Sequence, residues 1–284
     1  MTDVTQSAWR RFWEQGGWWR AVILVVVYFV LYNGLSLLLT PFAAQIEDPQ
    51  SAAGILVFYA IPVLVGCLLL IGFAASVGWL GEIFRPQPIR GRGWMWIAIA
   101  VVLLFNVLHL FAIDYGAAGF EVVATWLLAG LFIGFAEEVL TRGLVVNLLR
   151  KAGQRELVVA VISSALFALF HAGNLLTGQS LFATLIQLAY TFAFGICMYL
   201  AMRVTGTIVA PILLHASTDP SIFLHTAYPA ESAFGSIANL GNIVVIVVGV
   251  ICLFFIRGRV EQSQAADGRS TTLMQPSSLR WKVR

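Results

Sequence analysis

Long apolar segments dominate this sequence and restrict what it can fold into. Eight runs are each long enough, at about 20 residues, to cross a hydrocarbon core of ~30 Å as a helix. They cover roughly residues 21–42, 52–79, 94–114, 120–149, 157–173, 180–202, 207–227 and 237–256. Hydrophobic residues make up 60% of the 284 and charged residues 11%, whereas about a quarter of a soluble domain is charged. The sequence predicts an all-α polytopic membrane bundle of about eight transmembrane helices.

The basic residues indicate how these helices are oriented. Apart from Arg142, every Lys and Arg lies in the N-terminal tail, in the second, fourth or sixth loop, or in the C-terminal tail. Because cytoplasmic loops carry the excess of Lys and Arg, this alternation predicts that both termini are cytoplasmic. The net charge of +3 therefore reflects topology, and we expect no nucleic-acid partner.

The predicted organisation has three parts. Residues 1–20 form a cytoplasmic N-terminal tail, residues 21–257 form the transmembrane domain, and residues 258–284 form a polar, flexible cytoplasmic tail. The three cysteines lie in different apolar runs and are interpreted as packing residues. We expect a multi-pass protein of a bacterial cell membrane.

Ionisable residues at membrane depth are expensive to bury and usually face a cavity or a partner. Those that the apolar runs place at such depth are His109, Glu137, Glu138, Arg142, His171, His215 and Asp219. Glu137 lies 13 residues before Arg150, which is about 20 Å from the cytoplasmic end of a helix. The preceding segment, Gly130 to Gly134, has small residues four apart, a pattern that permits close helix packing.

Helical spacing separates the three charges in the fourth run. Glu138 and Arg142 are four residues apart and can pair on one face as an orienting ion pair. Glu137 points about 100° away and can face a different neighbour. Without its own arginine, this carboxylate is the candidate general base.

Two histidines lie in other apolar runs. His171 shares a helix face with Phe167 and lies about 24 Å from the cytoplasmic end. His215 shares a face with Asp219, and Pro220 is expected to bend or end that helix. His109 has no acidic or histidine partner at helical spacing and is interpreted as a hydrogen-bonded packing residue.

These side chains allow two kinds of amide hydrolysis. Glu137, His171 and His215 could bind a divalent metal such as Zn²⁺, which activates a water. Alternatively, Glu137 could deprotonate a water held by His171, while His215 and Asp219 stabilise the oxyanion. Residue types alone leave an intramembrane hydrolase and a proton-coupled transporter equally open, and a non-catalytic immunity or scaffold protein is a third reading.

Three short motifs resemble those of the CPBP intramembrane proteases, which include the type 2 CAAX prenyl endopeptidase and bacterial bacteriocin-processing and self-immunity proteins. They are E-E-x-x-x-R at Glu137–Arg142, F-x-x-x-H at Phe167–His171 and H-x-x-x-N/D at His215–Asp219. Together the motifs cover roughly residues 120–220. No other part of the chain carries the resemblance.

The resemblance implies a helical bundle with a conical cavity that opens to the cytoplasm. It also implies an endopeptidase acting on a membrane-embedded or lipid-anchored peptide or protein. Glu137 and His171 would activate water, and His215 with Asp219 would stabilise the oxyanion. Glu138, Arg142 and Phe167 would orient the site. The prenyl-endopeptidase branch usually has Asn where Asp219 stands, so a prenylated substrate is not implied. Asp219 itself could be protonated, orient His215 or help to bind a metal.

Overall fold

A computed structural model describes residues 7–260, and its architecture is the predicted all-α bundle. The described part has no β-strand, only two isolated bridges, at Ile113–Pro229 and Arg155–Arg259. Its helices are α1 Ala8–Glu14, α2 Trp18–Ser36, α3 Thr40–Ala43, α4 Ala52–Ile55, α5 Ile61–Ser76, α6 Leu80–Ile83, α7 Trp96–Leu110, α8 Tyr115–Glu138, α9 Val146–Lys151, α10 Glu156–Phe170, α11 Leu181–Thr205, α12 Val209–Ala227, α13 Ala233–Ala238 and α14 Gly241–Leu253. Helix α1 lies within the predicted N-terminal tail. Most of the predicted C-terminal tail lies outside the described residues.

Seven helical segments within residues 7–260 are long and apolar enough to cross a membrane. They are Trp18–Ala43, Ala52–Ser76, Gly93–Leu110, Tyr115–Lys151, Glu156–Thr177, Leu181–Thr205 and Ala233–Leu253. The remaining predicted span is α12, which is long enough but more polar because it carries His215, Ser217, Thr218 and Asp219. The protein is therefore an integral multi-pass membrane protein. The cytoplasmic location of both termini stays a prediction.

Helices α8 and α12 pack along each other because two glycines remove the side chains between them. A Cβ on Gly130 would lie 2.2 Å from Cγ of Pro220, and a Cβ on Gly134 would lie 2.5 Å from the carbonyl oxygen of Ile212. Both distances are far below van der Waals contact, so these positions accept only glycine at this helix separation. The packing role predicted for the Gly130–Gly134 segment is confirmed.

Pro220 does not end its helix, because α12 continues to Ala227. A proline in a helix leaves the carbonyl four residues earlier without its backbone donor. The proline ring and that carbonyl, on Ala216, both face Gly130. The space at this glycine accommodates the proline within α12. Of the two outcomes predicted for Pro220, the helix end does not occur, and the bend stays a prediction.

Two of the motifs lie where the regular α-helix changes its geometry. The π-helix Val139–Val145 follows α8 and contains Arg142 of the first motif. The 3₁₀-helix His171–Thr177 follows α10 and begins with the histidine of the second motif. Departures of this kind inside long helices are frequent at functional sites.

A buried ion network ties α9, α10 and α11 together near the loop that joins α9 to α10. Glu156 is fully buried and accepts two hydrogen bonds from Arg150, at 2.9 and 2.7 Å, and one from Arg203 at 2.9 Å. The hydroxyl of Tyr199 also donates to it. These bonds offset the desolvation cost of burying the carboxylate. They also hold the ends of α9, α10 and α11 together.

Candidate functional site

Glu138 joins the first and third motifs through one carboxylate oxygen. Its Oε1 accepts a hydrogen bond from Nη1 of Arg142 at 3.0 Å and another from Nδ1 of His215 at 2.8 Å. All three side chains are buried, Glu138 completely. The carboxylate can only accept, so Nδ1 of His215 carries a proton and this hydrogen bond fixes the ring orientation.

Arg142 reaches beyond its predicted partner. Its Nη1 donates to Oγ1 of Thr141 at 2.6 Å, and its Nη2 donates to the backbone carbonyl of Gly195 in α11 at 2.8 Å. The guanidinium carbon lies 4.8 Å from the ring centroid of Phe167. Arg142 therefore contacts α10 and α11 directly and is connected to α12 through Glu138.

Gly195 and Thr141 were not identified from the sequence. A Cβ on Gly195 would lie 2.9 Å from Nη2 of Arg142, so the glycine makes room for the guanidinium. The only sequence signal for it is a glycine inside an apolar helix, which is not specific.

Glu137 approaches the other nitrogen of the same histidine. Its Oε2 lies 3.6 Å from Nε2 of His215. This oxygen is buried and has no hydrogen-bond partner among residues 7–260. The expectation that the two glutamates face different neighbours is therefore wrong. Both side chains are long enough to converge on opposite nitrogens of one ring.

His171 is held in a defined orientation beside His215. Its Nδ1 lies 3.0 Å from the carbonyl oxygen of Phe167, which can only accept, so Nδ1 carries the proton and Nε2 is an acceptor in the neutral ring. The ring of Phe167 lies 5.0 Å from that of His171 and 5.8 Å from that of His215, edge to face in both cases. The ring of Phe167 thus packs against both histidines.

Asp219 lies at the same side of His215 as Glu137. Its Oδ2 is 3.9 Å from Nε2 of His215, which is too long for a hydrogen bond. The hydrogen bond that orients His215 is accepted by Glu138 and not by Asp219. The side chains of Asp219 and Glu137 are 25% and 22% exposed, so the acids at Nε2 are the more accessible part of the site.

Asn106 in α7 forms hydrogen bonds with the helix segment that carries the third motif. This residue was also not identified from the sequence. Its Nδ2 lies 2.9 Å from the hydroxyl oxygens of Ser217 and Thr218. Both belong to the α12 segment between His215 and Asp219. His109, one turn further along α7, donates from Nδ1 to the carbonyl of Phe105 at 2.8 Å, as expected for a hydrogen-bonded packing residue.

The predicted metal ligands do not form a metal site in this geometry. A zinc site in a protein needs at least three side-chain ligands within about 2.3 Å of one point. Within the described residues no group of three or more His, Cys, Asp or Glu side chains is arranged to hold a metal ion. Glu137 and His215 approach each other, but His171 does not complete a set with them.

The three motifs lie on one continuous segment, and that segment has a family match. Residues 118–220 match the type II CAAX prenyl endopeptidase, Rce1-like, family model. The match confirms the CPBP resemblance and supports a CAAX protease-like membrane enzyme. Helices α1–α7, α13 and α14 lie outside the Rce1-like segment. No curated protein matches the chain at a significant level.

Proposed function

We propose that the protein is an intramembrane endopeptidase that hydrolyses a peptide bond in a membrane-embedded or lipid-anchored protein or peptide. The observation that carries this proposal is the position of His215, which has Glu138 at Nδ1 and Glu137 at Nε2. This arrangement lies inside the Rce1-like segment. It supplies the oriented ring of His215 and, on the Nε2 side of that ring, the unpartnered carboxylate oxygen of Glu137.

In the first step, Glu137 acts as the general base. Its Oε2 accepts a proton from a water molecule, and Nε2 of His171 accepts the second hydrogen bond of that water. The oxygen of the water then attacks the carbonyl carbon of the peptide bond. Positioned general bases of this kind typically contribute about 10²–10⁴-fold to the rate.

The attack places negative charge on the carbonyl oxygen, and His215 stabilises it. A doubly protonated His215 donates from Nδ1 to Glu138 and from Nε2 to the oxyanion. The charge of Glu138 is balanced by Arg142, so the negative charge of Asp219, whose Oδ2 lies 3.9 Å from Nε2, balances the positive ring. Arg142 holds Glu138 in place through the 3.0 Å contact.

Collapse of the tetrahedral intermediate breaks the carbon–nitrogen bond. Glu137 returns its proton to the leaving amine, so it acts as general acid in this step, and the carboxylate product forms without a covalent enzyme intermediate. One carboxylate therefore serves both proton transfers.

The test is a cleavage assay on the purified protein in lipid nanodiscs. The probes are an internally quenched farnesylated peptide ending in a CAAX sequence and the same peptide without the farnesyl group. We expect Glu137→Gln to lower kcat/KM by about 10²–10⁴-fold. Glu121→Gln, an exposed position in the same helix α8, is the matched control and should leave kcat/KM unchanged. Full activity of Glu137→Gln would overturn the role of Glu137.

Two further arms separate the alternatives. Assays with a chelator, and metal analysis of the purified protein, test whether a divalent metal takes part. Proton flux in proteoliposomes that is lost in Glu137→Gln, together with no cleavage of either peptide, would favour a proton-coupled transporter.

A further inference from the structure

Helix α2 brings two tyrosines towards the site from outside the Rce1-like segment. Tyr28 and Tyr32 are one helical turn apart and stack with a ring-centroid separation of 5.9 Å. Tyr28 is buried, with 7% of its surface exposed, and Tyr32 is partly exposed. Both therefore face the bundle although α2 is a largely lipid-exposed span.

The two phenol rings lie against the second motif. Phe170, the residue before His171, has its ring 5.8 Å from Tyr28 and 6.2 Å from Tyr32. The ring of Phe170 in turn lies 6.4 Å from that of His171. The tyrosine pair is thus connected through Phe170 to one of the two residues to which water activation is assigned.

Among the described residues, no protein group forms a hydrogen bond with the hydroxyl of Tyr28 or Tyr32. Neither hydroxyl oxygen is fully enclosed, because neither belongs to the buried polar atoms that lack a partner. Both hydroxyls therefore remain open to a bonding partner. The Oε2 atom of Glu137 is buried and also lacks a partner. Three polar groups from two helices are therefore left for something that binds between them.

An intramembrane protease must bind its substrate with the substrate helix unwound around the cleaved bond. The amide and carbonyl groups released from the substrate helix have no water to bond to in the hydrocarbon region, so protein groups must satisfy them. A phenol hydroxyl can donate and accept, so it can pair with either backbone group.

We propose that the hydroxyls of Tyr28 and Tyr32 hydrogen-bond the main chain of the substrate peptide beside the second motif. The inference rests on the proposed endopeptidase function and assigns α2 as a substrate-binding wall of that site. Because the contact is to main-chain groups, it should be largely independent of substrate side chains.

The experiment replaces each tyrosine with phenylalanine, which keeps the ring and removes only the hydroxyl. Tyr28→Phe, Tyr32→Phe and the double variant are compared with Tyr59→Phe, whose partly exposed ring packs on Trp126 away from the site. The farnesylated and unmodified quenched peptides are the probes. We expect kcat/KM to fall about tenfold for each lost hydrogen bond, mainly through KM, with no change in thermal midpoint. The control should behave as wild type.

Peptide binding is measured separately in the Glu137→Gln background by fluorescence anisotropy. Addition of the double tyrosine substitution should raise the Kd for the peptide by the same factor by which it lowers kcat/KM. Wild-type cleavage and binding by the double variant would overturn the tyrosine assignment and leave the endopeptidase proposal standing. If the double tyrosine substitution weakens peptide binding but the wild type cleaves neither peptide, the endopeptidase proposal is overturned. The tyrosines would then still be assigned as peptide ligands. Failure of both peptides to bind any variant counts against the tyrosine assignment.

Discussion

Glu138 and His215 are joined by a 2.8 Å hydrogen bond that connects α8 to α12 inside the membrane. The same carboxylate oxygen also accepts from Arg142. An unpaired charge at this depth is strongly unfavourable. Because Arg142 pairs with Glu138, the Glu138 carboxylate can stay ionised and accept the hydrogen bond from His215. The ion pair and the orientation of the His215 ring are therefore one structural feature.

The first prediction separates the structural and functional parts of this feature. Glu138→Gln leaves the Arg142 charge buried without its counter-charge, and should destabilise the protein by about 3–5 kcal/mol. The double variant Glu138→Leu with Arg142→Met removes both charges and the acceptor for Nδ1 of His215, so it should regain most of that stability but not the peptidase activity. Unfolding in detergent and the cleavage assay measure the two effects. A double variant with wild-type activity would show that the pair does not orient His215.

The second prediction concerns the close approach of α8 and α12. Gly134→Ala places a Cβ 2.5 Å from the carbonyl oxygen of Ile212, so α12 must move away and lengthen the contact between Glu138 and His215. We expect at least a tenfold loss of kcat/KM together with a lower thermal midpoint. Gly34→Ala in α2 is the matched control, because a Cβ at Gly34 has no atom within 4 Å. Equal behaviour of the two variants would contradict the packing argument.

The third prediction tests the position of Tyr28 through its neighbour. A Cβ on Gly66 would lie 2.4 Å from the Tyr28 hydroxyl oxygen, so Gly66→Ala should displace that hydroxyl and weaken peptide binding about tenfold. Gly72→Ala lies in the same helix α5, and a Cβ there has no atom within 4 Å. Peptide affinity in the Glu137→Gln background compares the two. The tyrosine assignment loses support if both alanine variants bind alike.

The fourth prediction concerns pH and the docking of α1. Glu14 accepts hydrogen bonds from Nζ of Lys151 at 2.8 Å and from Nε1 of Trp79 at 2.7 Å. Partial burial by itself raises the pKa of Glu14, but these two hydrogen bonds outweigh it and hold the pKa below its ordinary value of 4.5. Glu14 therefore stabilises the fold above that ordinary value, and the contribution is lost as the pH falls through the lowered pKa.

Thermal midpoints between pH 7 and pH 3 measure this contribution. Glu14→Gln should lower the midpoint by about 2–4 °C at pH 7, as expected for ~1 kcal/mol in a chain of this size. The difference from wild type should shrink as the pH approaches 3. Glu47→Gln, at an exposed loop position, is the control and should follow wild type throughout. A difference between Glu14→Gln and wild type that does not depend on pH would contradict the argument.

The sequence alone determined the fold class, the approximate limits of the membrane spans and the pairing of Glu138 with Arg142. Each of these depends on local pattern: the length of an apolar run, or a spacing of four residues on one helix. The three motifs also predicted the family resemblance, and residues 118–220 match the Rce1-like family model. These features need no knowledge of how the helices are arranged.

Only the tertiary structure decided which residues on different helices meet. It brought Glu137 and Glu138 to opposite nitrogens of His215 and gave Arg142 the carbonyl of Gly195 as an acceptor. It also brought Tyr28 and Tyr32 against Phe170 from a helix more than 100 residues earlier in the chain. Helix spacing predicts neighbours within one helix, but the register between helices is set by where small residues permit close contact, as Gly130 and Gly134 do for α12.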